Sequence, residues 1–376
     1  MSDGEFKKMN SLNRIRAAFS GEKPDLVGTA DFYWGETIVR WQKEGMDSES
    51  PDDYFDNDII FFHFDPRFGF EERLISEDEH YLTFFSIDGL TVKVPKDKDN
   101  LIAKSDAVGY PIDYLIKGRT EWDKYKYFYQ AGRWRLHSNP RFSGSWFGYK
   151  TLDDYRKKYE KALANDKFKC LVFREPYECI REILGTDNIL IQMAADPELI
   201  KEMLQQALKI ILEMVDLIKN LGMKMDGYWV WGDIAYNQGM FFSPRTYRDL
   251  LMPLHKELFR HLGENVIYHT DGNLREALPL LVEAGIKGIN PLEIKAGNDF
   301  YKIVDEYGDK LVITGGIDVR ILSTNDRKKI EQEIKKKIEY AKKKRYIYHS
   351  DHSIPPDINL ETYRFIIDTV KTYGKY

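Results

Sequence analysis

The residues best suited to chemistry lie in the C-terminal half, each just after a short run of β-branched and aromatic residues. Asp233 follows Trp-Val-Trp-Gly, His269 and Asp271 follow Val-Ile-Tyr, and Glu293 follows Asn-Pro-Leu. Asp318 follows Thr-Gly-Gly-Ile, and His349, Asp351 and His352 follow Tyr-Ile-Tyr. His269 and Asp271 stand two apart, so an extended backbone points both to one side, where they can share a cation or a proton. Joined by His352 and Glu293, they make a set of imidazoles and carboxylates that suits Zn²⁺ or a similar divalent ion. Without a metal the same groups serve proton transfer, and the residue types leave both chemistries open. His349 and Asp351 are weaker candidates.

Other polar groups have a ligand reading beside a structural one. Gly315-Gly316 permits close approach of backbone or ligand, or simply a tight turn. Arg320 suits a substrate carboxylate or a surface ion pair. Residues 236–242 (Tyr-Asn-Gln-Gly-Met-Phe-Phe) are apolar for a loop, which fits a pocket lid or packing over a rim. In the N-terminal half Tyr33, Glu36 and Asp65 sit beside aromatics, Asp65 being the foremost; His63 and His80 read as structural. The dinucleotide Gly-x-Gly-x-x-Gly, the phosphate loop and the nucleophile elbow are missing, and Gly144-Ser145 lacks the strand-turn-helix setting of the last.

These groups need a scaffold that gathers distant strand ends. From Asp187 onward, strand-like runs at 188–192, 228–231, 265–268, 286–292, 311–314 and 346–348 alternate with amphipathic helical patterns, the rhythm of repeated βα units on parallel strands. Asp196-Pro197 opens a helix as N-cap and N1, with Ile200, Met203, Leu204, Ala207, Leu208, Ile211, Met214, Val215 and Ile218 along one face. Ser243-Pro244 opens another, a third runs through Leu278 and Leu281 to Gly285, and Ile330, Ile334, Ile338 and Ala341 mark a lysine-rich one. Upstream, 36–44 is helical, and segments around 61–70 and 81–94, with Asp88-Gly89 as hairpin turn, read as an antiparallel elaboration. Early barrel strands are expected at 26–30 and 169–173. The fold expected is therefore α/β, a (β/α)₈ barrel with reacting groups at the carboxyl ends of its strands. A single domain over 1–376 is expected, the elaboration and first barrel elements taking about 1–160 and regular βα repeats about 161–376.

Composition narrows the partners. Net charge is −5 with mixed signs, so no broad basic field suits a phosphate backbone and nucleic acid is not expected. Cys170 and Cys179 form neither a disulfide framework nor a zinc-type spacing, which fits small buried thiols in a reducing compartment. The start, Met1-Ser2-Asp3-Gly4-Glu5, lacks the pattern of a secretory leader, and no run approaches the roughly 18 apolar residues that span a bilayer. The expectation is a cytoplasmic protein without a membrane partner.

At these residues the chain resembles the uroporphyrinogen decarboxylase superfamily, which includes the decarboxylase and corrinoid-dependent methyltransferases. The resemblance runs from Lys169 to the C-terminus. Its landmarks are Glu175-Pro176, Gly185-Thr186-Asp187-Asn188, Asp196-Pro197-Glu198, Gly232-Asp233, Phe242-Ser243-Pro244, His269-Thr270-Asp271-Gly272, Gly316-Ile317-Asp318 and His352-Ser353-Ile354-Pro355-Pro356. It implies one barrel, often dimeric, with a deep pocket at the strand ends. The decarboxylase grips its substrate's acid groups with Arg-Gln-Ala-Gly-Arg; here that region is Asp31-Phe32-Tyr33-Trp34-Gly35-Glu36, which places a carboxylate where guanidinium is needed. The zinc methyltransferases use His-x-Cys and a later cysteine; here His269 is kept, Asp271 stands at the first cysteine's place and His352 at the second's.

The resemblance thus implies methyl transfer in a corrinoid-dependent demethylation system, the corrinoid carried by a partner protein, with His269, Asp271 and His352 as metal ligands. Tyr33, Glu36, Asp233, Glu293, Asp318 and Arg320 would then bind the substrate. The alternative is cofactor-free decarboxylation of a porphyrinogen or an aromatic acid through Asp65 and His352. A further alternative is a barrel that only binds a tetrapyrrole or corrinoid.

Overall fold

The computed structural model describes residues 8–48, 50–97, 100–103, 110–137 and 151–376; Met1–Glu5 and Gly144-Ser145 lie outside them. Eight parallel strands form a nearly closed barrel: β1 (Gly28–Thr29), β2 (Ile59–His63), β3 (Phe168–Arg174), β4 (Gly227–Trp231), β5 (Val266–His269), β6 (Gly288–Asn290), β7 (Val312–Thr314) and β8 (Tyr346–Tyr348). Their hydrogen-bonded order, β1-β8-β7-β6-β5-β4-β3-β2, makes each strand from β2 to β7 the neighbour of the next in the chain and pairs β8 with β1. Between β1 and β2 the contact passes through Asp58, whose N–H donates to the Thr29 carbonyl at 3.0 Å. Its carboxylate accepts the Thr29 N–H at 2.9 Å and pairs with Arg14 at 2.6 Å.

The period of two along each strand divides the core. Ile59, Phe61, Cys170, Val172, Trp229, Ile267, Val312 and Ile347 form one apolar cluster inside the barrel, while their sequence neighbours Ile60, Phe62, Leu171, Val230, Val266 and Ile313 pack outward under the helices. Helix Ser11–Ser20 stoppers the amino end, adding Ile15 and Ala18 to the interior cluster. Of the helices, Pro197–Asn220 is the longest read from sequence; Asp196 caps it through the Leu199 N–H at 2.9 Å, and the expected apolar face is buried throughout. Each isoleucine, leucine, methionine or valine of that face contributes about 1.5–3 kcal/mol on full burial.

Two expected elements differ. Residues 188–192 are not a strand but part of helix Thr186–Ala195, in which Ile189 and Met193, four apart, face the core. A short apolar run carries either period, and the strand belonging to this part of the barrel is β3, upstream. Residues 59–63 belong to the parallel barrel as β2. The antiparallel elaboration comprises Arg73–Glu77, Tyr81–Phe85, Leu90–Asp97, Asn100–Ala103 and Tyr110–Tyr114, inserted between β2 and β3. The Asp88-Gly89 turn falls between two of these strands as expected, Gly89 adopting φ 82°. Both cysteines are free and buried, and no helix among the described residues is long and apolar enough to cross a membrane.

Two latches hold the carboxyl end. After β7, Gly315 adopts φ 115°, and a Cβ there would lie 2.0 Å from the Pro291 carbonyl oxygen in the loop after β6. Backbone thus meets backbone, the first of the two readings of Gly315-Gly316. After β1, buried Asp31 accepts hydrogen bonds from Ser350 Oγ at 2.5 Å and Tyr363 OH at 2.9 Å, joining the first strand's end to the last's. Burial pushes its carboxyl up to about 7 although those donors pull the other way.

Gly315→Ala is expected to cost about 2–3 kcal/mol, read as a lowered urea midpoint. For Asp31 the unfolded chain releases its proton near pH 4 whereas the native protein keeps it to about 7, so stability from this group is present below pH 4 and declines across that interval. The stability difference between Asp31→Asn and the parent protein should therefore shift in the variant's favour from pH 4 to 7; a pH-independent difference would contradict the raised value.

Candidate active site

Continuing the inward alternation one step beyond the apolar interior gives one residue per strand: Phe32, His63, Arg174, Trp231, His269, Asn290, Thr314 and His349. The barrel lining changes there from wholly apolar to largely polar, at the carboxyl ends where the βα loops begin. His63 belongs to this ring as a neutral group, since burial and the Lys158 charge hold it down to about 3. For Arg174 burial opposes the charge, but Glu182, Asp88 and Glu178 outweigh it and keep the guanidinium cationic.

Hydrogen bonds decide which nitrogen of each imidazole faces the mouth. Asn290, fully buried, donates through Nδ2 to the Thr314 carbonyl at 3.3 Å, which turns Oδ1 toward His269. His269 Nδ1–H donates to that oxygen at 2.6 Å, so Nε2 carries the lone pair. This Nε2 lies 3.7 Å from Asp271 Oδ1. His352, stacked on Trp34, directs Nδ1–H to the Ser353 carbonyl at 3.3 Å and leaves Nε2 4.0 Å from Asp271 Oδ2. Asp271 thus stands between two imidazoles from β5 and the segment after β8. Its Oδ1 is buried with no hydrogen-bond partner among the described residues.

Three further carboxylates surround it. Asp233 Oδ1 accepts the Asp271 N–H at 3.0 Å; burial, then the Asp271 charge, raises its pKa. Glu178 accepts the Asp233 N–H at 3.3 Å, and burial pushes it up to about 7 against the pull of Arg181. Glu293, buried, accepts the Gly272 N–H at 2.8 Å and pairs with Lys295 at 2.8 Å. Ligand atoms of Asp233, His269 and Asp271 lie within 4.8 Å of one another, as do those of Asp271, Glu293 and His352, so two potential cation sites share Asp271.

The remaining expected site residues are engaged elsewhere. Asp65 is fully buried, with both carboxylate oxygens on Arg67 at 2.8 and 2.6 Å. Arg320 is likewise clamped to Asp318, its own neighbour, at 2.9 and 2.6 Å, the local ion pair that was the other reading of this arginine. Tyr33 OH meets Tyr363 OH at 3.2 Å and accepts from Asn57 at 2.8 Å, while Glu36 lies half-buried in the first turn of helix Gly35–Lys43. Asp351 braces two loops, accepting the Val319 and Ile294 N–H groups at 2.7 and 2.9 Å. Residues 235–240 form a small hairpin fastened at Gly272 and Asn273; the Asn273 N–H donates to the Tyr236 carbonyl at 2.9 Å. A Cβ on Gly272 would come within 2.5 Å of the Tyr236 nitrogen, so the glycine of His-Thr-Asp-Gly admits this hairpin to the rim.

Sequence reasoning missed Asp31, Asn290, Arg174 and the buried Glu175–His255 pair at 3.0 Å, which Tyr247 extends at 2.8 Å. Alternation from Cys170 and Val172 points Arg174 inward, a signal present in the sequence. Nothing local marked Asn290, whose role comes from the neighbouring strand.

Comparison with known proteins agrees with this architecture. The uroporphyrinogen decarboxylase (URO-D) family model matches residues 176–373, just over half of the chain. A uroporphyrinogen decarboxylase of Vesicomyosocius okutanii subsp. Calyptogena okutanii (strain HA) is 32% identical over 78 residues, a match spanning 20% of this chain and 22% of that protein. A solved methyltransferase from Methanosarcina mazei aligns over 97% of this chain and 99% of its own, with TM-score 0.69 and 13% identity, a likeness of fold. From the barrel, the matched half and the motifs carried on its strand ends, the chain belongs to the uroporphyrinogen decarboxylase family.

Proposed function

We propose that this protein is a methyl-transfer enzyme of a corrinoid-dependent demethylation system, with Asp271 holding a divalent cation of the zinc type together with His269 and Asp233 or with His352 and Glu293. The observation that carries the reading is the convergence of two imidazole Nε2 atoms on one carboxylate, 3.7 and 4.0 Å away, with a carboxylate oxygen left buried and unpartnered. Imidazole nitrogens and carboxylates are a fitting donor set for zinc. Such a cation, when bound, supplies Lewis acidity to a methyl acceptor. Asn290 fixes the His269 tautomer, the Asp233 carboxylate positions the Asp271 backbone, and Glu293 holds the adjoining Gly272. The corrinoid is assigned to a partner protein on the family resemblance.

The decarboxylase reading draws on the short match to a uroporphyrinogen decarboxylase. Against it, the carboxylate it needs at Asp65 is occupied by Arg67. The region expected to grip acid groups holds Asp31 and Glu36 instead of arginines. Turnover of uroporphyrinogen by the purified protein, abolished by Asp65→Asn, would reverse the preference.

Protein purified without chelator should contain about one divalent ion per chain and rise in melting temperature when zinc is added. Absence of both defeats the metal assignment. Asn290→Ala, which frees the His269 ring without touching a ligand atom, should weaken zinc binding ~10–100-fold. An unchanged affinity would show that the tautomer is set by something else.

A further inference from the structure

Below the cluster, the interior holds polar atoms that neither the fold nor the proposed chemistry uses. His349 is 1% exposed, and its Nδ1–H donates to the Ser350 carbonyl at 2.6 Å, leaving Nε2 as an acceptor. That Nε2 is buried without a hydrogen-bond partner among the described residues, and so are the indole N–H of Trp229 and Thr314 Oγ1. Trp229 and His349 are neighbours, ring centroids 5.6 Å apart. The pair therefore offers one acceptor and one donor side by side on β4 and just past β8. Leaving such groups unsatisfied in a core is costly, which marks the place as one completed by something outside the chain.

The surroundings indicate what completes it. Phe32 stands edge-on to His349 at 5.3 Å, to Trp229 at 5.3 Å and to Trp231 at 6.2 Å, a continuous aromatic wall from floor to rim. Trp231 in turn stacks on His269 at 5.2 Å, and both Phe32 and Trp231 are only half-buried, so the wall opens toward the mouth. Asp31 is the carboxylate beside it, Oδ1 lying 3.4 Å from His349 Nδ1 and so on the side of the ring that carries the hydrogen, and burial holds His349 down to about 3 although its hydrogen bond to Ser350 pulls the other way.

We propose that His349 and Trp229 form a floor subsite for the hydroxyl of a planar aromatic ligand, the hydroxyl donating to His349 Nε2 and accepting from Trp229 Nε1–H. The ring lies against Phe32 and Trp231, and the end remote from the hydroxyl faces His269, Asp271 and His352. This names a substrate class, hydroxylated aromatic rings, and rests on the preceding reading only for which end reacts. A trapped water would satisfy the same two atoms, and that is the competing account the test must separate.

Calorimetric titration of the purified full-length chain with phenol and with toluene, without added metal and again with zinc, distinguishes them. Phenol is expected to bind ~10–100-fold more tightly than toluene, since only the hydroxyl satisfies the buried pair. Trp229→Phe and His349→Phe keep an aromatic ring but remove one partner each, and should bring the two ligands to within ~3-fold. Equal binding of phenol and toluene to the parent protein, or binding of neither, overturns the subsite, as does retention of the phenol preference in both variants. Should a variant fail to fold, the parent protein's discrimination decides. Phenol selectivity without zinc binding would sink the metal reading alone, and zinc binding without phenol selectivity would sink this subsite alone.

Discussion

A carboxylate oxygen buried without a hydrogen bond is the constraint around which the mouth of this barrel is arranged. Leaving such an atom unpaired costs about 1–3 kcal/mol, and Asp271 Oδ1 is in that position. Its neighbours do not relieve it; they hold it there. Asp233 takes the Asp271 backbone N–H, Glu293 takes that of Gly272, and the two imidazoles present nitrogen lone pairs across 3.7 and 4.0 Å. A proton or a cation relieves all of these groups together, which is why the site favours positive charge.

The same balance bears on substrate. Among the described residues Arg181 pairs with Glu178 and Lys295 with Glu293, Arg174 adds its charge near Glu178, and Asp233 and Asp271 form no ion pair with a lysine or arginine. A multiply anionic ligand placed against this half of the mouth would gather like charges in a low-dielectric setting, which costs binding. The opposite half, with Phe32, Trp231 and neutral His349, is aromatic in character. A largely uncharged ring suits that division of the pocket better than a polycarboxylate does.

Much of this was legible in the sequence because two periodicities coincide. Strand-end positions are visible wherever a β-branched run stops at an ionisable residue, as at 233, 269, 271, 293 and 352. The failures have physical causes. Residues 188–192 are apolar enough for a strand but lie in a helix whose inward face needs only Ile189 and Met193. The run around Phe61 resembles the elaboration because β2 is followed directly by an antiparallel insert, and nearness in sequence does not tell which sheet a strand joins. Asp65 and Arg320 looked available because an ion pair formed two residues away leaves no trace in spacing. Asn290 and Asp31 act through partners on other strands, 21 and 319 residues distant, which a one-dimensional reading does not juxtapose.

The helix Ser11–Ser20 beneath the barrel has a bearing on traffic. Ile15 and Ala18 fill the interior at that end, so among the described residues the barrel opens toward its carboxyl rim. Two bulky ligands that used that rim would pass through it one after the other.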